Sequence, residues 1–166
     1  SIIKKLIQQC SKLEVQILEI PFVDSSSLKS KTDEEEIIIH LQPVVDFANS
    51  QNVKIVLETD LAPNNFKNLL EKFGSNIGAN YDIGNSASLG YDPTDEIQTL
   101  RQWLTNVHIK DRLYAGNTVE LGCGNTDFDL VFSTLAKINY AGQLIIQGAR
   151  EDYKLVDPQD TCKKYL

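Results

Sequence analysis

Glu58, Asp82, His108 and Gln147 are the residues whose types suit shared chemistry, and each follows a separate apolar run. Their contexts read VLETD, ANYDIGN, NVHIKD and LIIQGAR. Each run has the length and composition of a short buried strand, so each polar residue falls at a strand's C-terminal end. In a barrel of parallel strands, chemistry is placed at those ends. Two carboxylates, an imidazole and an amide oxygen brought together there would suit a divalent metal. The spacings of 24, 26 and 39 residues each leave room for one helix and one return strand.

The elements that must position these residues alternate in period. Ile2, Ile3, Leu6, Ile7, Cys10 and Leu13 fall at helical spacing, predicting a helix over 2–13. Residues 14–23 read as a strand, followed by a polar loop. A helix then runs to about Ser50, with Ser30, Thr32 or Asp33 as its cap and Glu34, Glu35 and Glu36 facing the dipole. Pro43 lies inside it and predicts a bend. Strands follow at 53–58, 77–82, 106–111 and 143–147. Helices follow at 63–73 (opened by Pro63 and closed by Gly74), 94–104 and 126–138, with a short helix from Pro158. GNSASLGYDP and LYAGNTVELGCGN read as long loops.

Strict alternation of helix and strand predicts an α/β fold with a parallel sheet. A closed barrel of this kind needs eight strands, and only five are found. The chain also starts mid-pattern on a helix and contains no Met. Two readings stand: the C-terminal piece of a longer barrel, or an open five-stranded sheet. Against the open sheet, no Gly-rich phosphate turn follows the first strand.

Composition narrows the functions. The 166 residues suit a single domain with its own core. No apolar run is long enough for a membrane span, and the first sixteen residues are too polar for a signal peptide. Cys10, Cys123 and Cys162 are odd in number and scattered, which predicts neither a disulfide framework nor a zinc knuckle and fits a cytoplasmic location. A net charge of −7 argues against a sequence-independent grip on nucleic acid.

At YDIGN, HIKD, LGCGNTDF and YAGQLII the sequence resembles the sugar-phosphate isomerase/epimerase group of the xylose-isomerase-like TIM barrels. The resemblance runs from about Glu14 to Arg150. It implies a partial barrel, with the five strands corresponding to strands four to eight and the first three absent. It implies a divalent metal (Mn²⁺, Mg²⁺, Co²⁺ or Zn²⁺) held by Glu58, Asp82, His108 and a fourth residue. The family's fourth ligand is a glutamate, and here the position is Gln147. It also implies Glu58 as the base at a substrate carbon.

Each site residue has a plainer reading. Glu58 is either ligand and base or a salt-bridged acid at a strand end. Asp82 is either a ligand or the organiser of its own turn. His108 is either a ligand or a satisfied core histidine. Asn85 is either a turn residue or a contact to a substrate hydroxyl. Lys110 shares the face of His108 and either binds a sugar phosphate, balances a metal-bound carboxylate, or forms an ion pair with the loop of Asp111. Arg112 and Arg150 are either phosphate forks or surface residues. LGCGN resembles a phosphate-cradling turn and equally a tight strand-to-helix connection. His40 and Trp103 read as fold residues.

The leading expectation is metal-dependent isomerisation or epimerisation of a sugar or sugar phosphate through an enediolate. Gln147 limits this, because two-base epimerisation needs an acid on each face of the carbon and an amide cannot serve. The alternative is a non-catalytic truncated barrel, or a partner subunit with an altered metal site. A homo-oligomer or a complementing barrel fragment would then cover the open sheet edges. A DNA-repair nuclease of the same superfamily is a third reading, disfavoured by the acidic charge.

Overall fold

The computed structural model describes residues 1–149 and 157–163. Five parallel strands alternate with helices, as the periodicity predicts, in the sheet order β1-β2-β3-β4-β7. The chain divides into two compact units: Ser1–Asn80 with Thr99–Thr105, and Tyr81–Gln98 with Asn106–Leu166.

In the first unit, α1 (Ile2–Lys12) precedes β1 (Ile17–Phe22), and α2 (Lys31–Ser50) precedes β2 (Lys54–Thr59). Ser30 is the cap of α2, in a reciprocal capping box with Asp33, and Pro43 lies inside that helix. β1 runs parallel to β2, with Ile17 opposite Lys54 and Phe22 opposite Thr59. Ile55, Val56 and Leu57 of β2 are all fully buried, as expected of a parallel strand covered on both faces. α3 (Pro63–Phe73) places Phe66, Leu69, Leu70 and Phe73 in the core with Ile7, Val45 and Ala48. β3 (Ile77–Asp82) begins here, in register with β2 through Ile55–Ile77 and Leu57–Ala79. Trp103 is 5% exposed and donates its indole N–H to the Gly74 carbonyl, which confirms its packing role.

In the second unit, α4 (Ile83–Leu89) follows directly on Asp82, and α5 (Pro93–Leu100) follows it. This corrects two expectations. GNSASLGYDP is not a long loop, because the Asp82 side chain caps a helix through the Asn85 N–H. The helix expected over 94–104 ends at Leu100, and β4 (Leu104–Ile109) already starts two residues before Asn106. The second expected loop contains a small antiparallel ladder, β5 (Asp111–Arg112) with β6 (Thr118–Val119). α6 (Phe128–Lys137) is capped by Asp127. β7 (Gln143–Ile146) pairs parallel with β4, His108 facing Ile145. Leu144, Ile145 and Ile146 are all exposed, so β7 has the apolar composition of a buried strand without the burial. α7 (Pro158–Lys163) is the short helix expected from Pro158. Among the described residues, no helix is long and apolar enough to cross a membrane.

Candidate functional site

In the first unit, Glu58 sits near the C-terminal end of β2 and is only 6% exposed. The buried Asn80 of β3 donates its side-chain N–H to Glu58 Oε2 at 3.2 Å and so fixes the carboxylate's direction. A second acid stands beside it. Glu19 of β1 is half-buried, pairs with Val56, and brings a carboxylate oxygen within 4.8 Å of one from Glu58. Two carboxylates this close repel unless a positive charge or a hydrogen-bond donor offsets them, and Asn80 is one such donor to Glu58. Sequence reasoning missed Glu19. Its signal is a charged residue in the middle of an otherwise apolar strand, ILEIPF.

In the second unit, Asp82 is 4% exposed and its two oxygens do different work. Oδ1 accepts the Asn85 N–H at 2.8 Å. Oδ2 lies 3.3 Å from Lys110 Nζ and 3.8 Å from His108 Nδ1. Asp82 therefore organises its turn with one oxygen and faces the imidazole with the other. The 3.8 Å separation is too long for a hydrogen bond. It falls within the roughly 3–4 Å expected between two ligands each about 2 Å from one ion. A buried carboxylate oxygen and an imidazole nitrogen at this separation are donors of the type that suits a divalent metal.

Lys110 and Arg112 converge on Asn85. Lys110 Nζ is 3.2 Å from Asn85 Oδ1, and Arg112 Nη1 donates to the same oxygen at 2.8 Å. Arg112 also donates through Nε and Nη2 to the Gly116 carbonyl. Gly84 gives Lys110 its path, since a Cβ there would stand 2.8 Å from Lys110 Cγ. The structure thus brings four of the expected residues, Asp82, Asn85, Lys110 and Arg112, into one cluster.

The LGCGN turn has the plainer of its two roles. Asp111, 1% exposed, accepts the N–H groups of Gly122 at 2.9 Å and Gly124 at 2.7 Å on Oδ2, and that of Thr126 at 3.1 Å on Oδ1. The amides that would cradle a phosphate point at the chain's own carboxylate. Sequence reasoning missed Asp111 as the organiser of that turn.

Gln147 follows β7 immediately, is exposed, and donates its backbone N–H to the Ile109 carbonyl at 2.9 Å. Arg150 lies outside the described residues. His40 is exposed on α2 and lines an open groove of about 440 Å³ with Phe22, Ser25, Lys29 and Glu36, which includes none of the expected site residues. Cys10, Cys123 and Cys162 are free thiols.

Comparison with known proteins agrees with this architecture. The family model described as "Xylose isomerase-like TIM barrel" matches residues 1–162. No curated protein matches the chain. Among solved structures, a xylose isomerase domain protein from Planctomyces limnophilus is 22% identical with a TM-score of 0.83, and the likeness covers 98% of this chain and 60% of that one. The IolI protein with a bound zinc atom is 20% identical with a TM-score of 0.79, over 98% of this chain and 65% of its own. D-psicose 3-epimerase from Clostridium cellulolyticum H10, solved with D-tagatose, is 16% identical with a TM-score of 0.75, over 90% of this chain and 56% of its own. At these identities the likeness shows the fold, and the chain spans 56–65% of the length of each of these structures. With five parallel strands in the predicted order and a family model matched over nearly its whole length, this chain belongs to the xylose isomerase-like TIM barrel family.

Proposed function

We propose that this chain takes part in the metal-dependent isomerisation or epimerisation of a sugar or sugar phosphate. The observation that carries the proposal is the approach of His108 Nδ1 to Asp82 Oδ2 among buried strand ends. The sugar epimerase among its structural neighbours supports the substrate class.

In this reading Glu58, Asp82 and His108 hold a divalent ion, of the Mn²⁺, Mg²⁺, Co²⁺ or Zn²⁺ type, and the Gln147 amide oxygen adds a weak fourth donor. A bound ion supplies polarisation of a substrate carbonyl. The remaining work belongs to the side chains. Glu58, held by Asn80, takes the proton from the carbon beside that carbonyl, giving an enediolate. Lys110 balances the charge of Asp82, and with Arg112 and Asn85 it forms the polar wall against which substrate hydroxyls or a phosphate would lie. Arg150 is a further candidate for a phosphate. Glu19 brings a further carboxylate oxygen within 4.8 Å of one from Glu58. Aldose–ketose isomerisation, in which one base returns the proton on the same face, fits these residues better than two-base epimerisation.

The test is solvent exchange. The protein with Mn²⁺ or Co²⁺ in deuterated water is expected to wash deuterium into C1 or C3 of at least one pentulose or hexulose, free or phosphorylated, and Glu58→Gln is expected to abolish it. No exchange into any of them would reject catalysis by this chain. The second reading, a non-catalytic partner subunit that binds metal without turnover, is favoured by the amide at Gln147, and restoration of exchange by Gln147→Glu would support it.

A further inference from the structure

We infer that Glu96 is a positioning residue for Asp82 and Asn85, holding the strand-to-helix turn between them through Ser86. The inference rests on the proposed site, and extends it to a carboxyl that touches neither metal nor substrate there.

Glu96 lies in the first turn of α5 and is 5% exposed. Its Oε1 accepts the Ser86 hydroxyl at 2.8 Å. Ser86 is 8% exposed and follows Asn85 on α4. On the other side stands Tyr81, 2% exposed, the residue before Asp82. Its hydroxyl is close enough to steady the Glu96 charge, although neither it nor Glu96 Oε2 completes a well-formed hydrogen bond. The helix side of the turn is thus tied to the buried acid through Ser86, while the Tyr81 hydroxyl on its strand side lies near the same carboxyl without a hydrogen bond to it. Inside that turn is the bond from the Asn85 N–H to Asp82 Oδ1, which leaves Oδ2 turned toward His108.

Packing alone does not account for such a residue. A buried carboxyl costs stability where an apolar side chain of the same size would add to it. Burial pushes the Glu96 carboxyl up to about 7, with Asp95 and Asp92 adding to the rise and the Ser86 and Tyr81 hydroxyls opposing it. What the acid gains in return is a fixed turn, and that turn aims a proposed ligand.

The experiment is amide hydrogen exchange at Asn85 in the metal-free protein, read together with Mn²⁺ affinity. In Glu96→Ala the Asn85 amide is expected to exchange about tenfold faster, while Ile55 and Leu57 in the first unit keep their protection. Mn²⁺ affinity is expected to fall about tenfold, as for loss of a residue that orients a ligand. Glu96→Gln, which keeps an acceptor for Ser86, is expected to restore both. Ser86→Ala keeps the acid and removes the tether, and is expected to raise Asn85 exchange if Glu96→Ala does not fold. Wild-type protection of the Asn85 amide in a folded Glu96→Ala or Ser86→Ala chain would overturn the inference. If the wild type binds no Mn²⁺, the metal reading fails by itself and the exchange data still decide the positioning role.

Discussion

Lys110 holds its ammonium 3.3 Å from Asp82 Oδ2, with side chains only 14% and 2% exposed respectively. The two side chains form an ion pair in a place that water barely reaches. Removing one partner of a buried pair leaves the other charge uncompensated, at a typical cost of about 3 kcal/mol. Lys110→Met is therefore expected to destabilise the metal-free protein by that order in urea titration. Asp82→Asn combined with Lys110→Met is expected to recover part of the loss. A Lys110→Met protein as stable as wild type would show that the pair contributes nothing.

The strands were legible because their signal is burial itself. The run through Ile55, Val56 and Leu57 could be little else, and it delivers Glu58 to the strand end. The helix α4 was not legible, because Gly84, Asn85, Ser86 and Ser88 have no apolar stripe; they are buried by polar bonds to Asp82, Glu96 and the Gly116 carbonyl. Glu19 and Glu96 escaped notice for a related reason. A single acid within an amphipathic pattern reads as solvent-facing until a neighbouring strand or helix covers it. Asp111 was hidden by the chemistry of its partners, since backbone N–H groups leave no mark in the sequence.

Asp111 makes a separate prediction. Its carboxylate is the acceptor for three backbone N–H groups of the turn before α6. Asp111→Ala leaves those donors without it and is expected to cost about 3 kcal/mol, at about 1 kcal/mol for each bond. Gly124→Ala tests the same contact from the other side, because its Cβ would stand 2.2 Å from Asp111 Oδ1 and 2.7 Å from the Arg112 carbonyl oxygen. Both variants are expected to lower the thermal midpoint. An unchanged midpoint in both would contradict the account of this turn.

The burial of Glu96 predicts how stability varies with pH. Its carboxyl is raised to about 7, against about 4.3 for an ordinary glutamate. Between those values the folded protein keeps a proton that the unfolded chain has released. Stability from this group is therefore full below the lower value and lost as pH rises through the window, by up to about 4 kcal/mol. Asp33 acts in the opposite sense, its carboxyl held low by the Lys29 and Ser30 amides and the Ser30 hydroxyl, and this effect belongs to more acid conditions. The difference in unfolding free energy between wild type and Glu96→Gln, measured from pH 4 to 8, is expected to shift toward the variant as pH rises. A flat difference would mean that Glu96 titrates like a solvent-exposed acid.

The central claim is that Glu58, Asp82 and His108 serve one divalent ion, and calorimetric titration of the metal-free protein with Mn²⁺ tests it most directly. One site per chain is expected, with affinity lowered at least about tenfold, or about 1.4 kcal/mol, in each of Glu58→Gln, Asp82→Asn and His108→Ala while the chain stays folded. Wild-type affinity in any one of those three variants would contradict it.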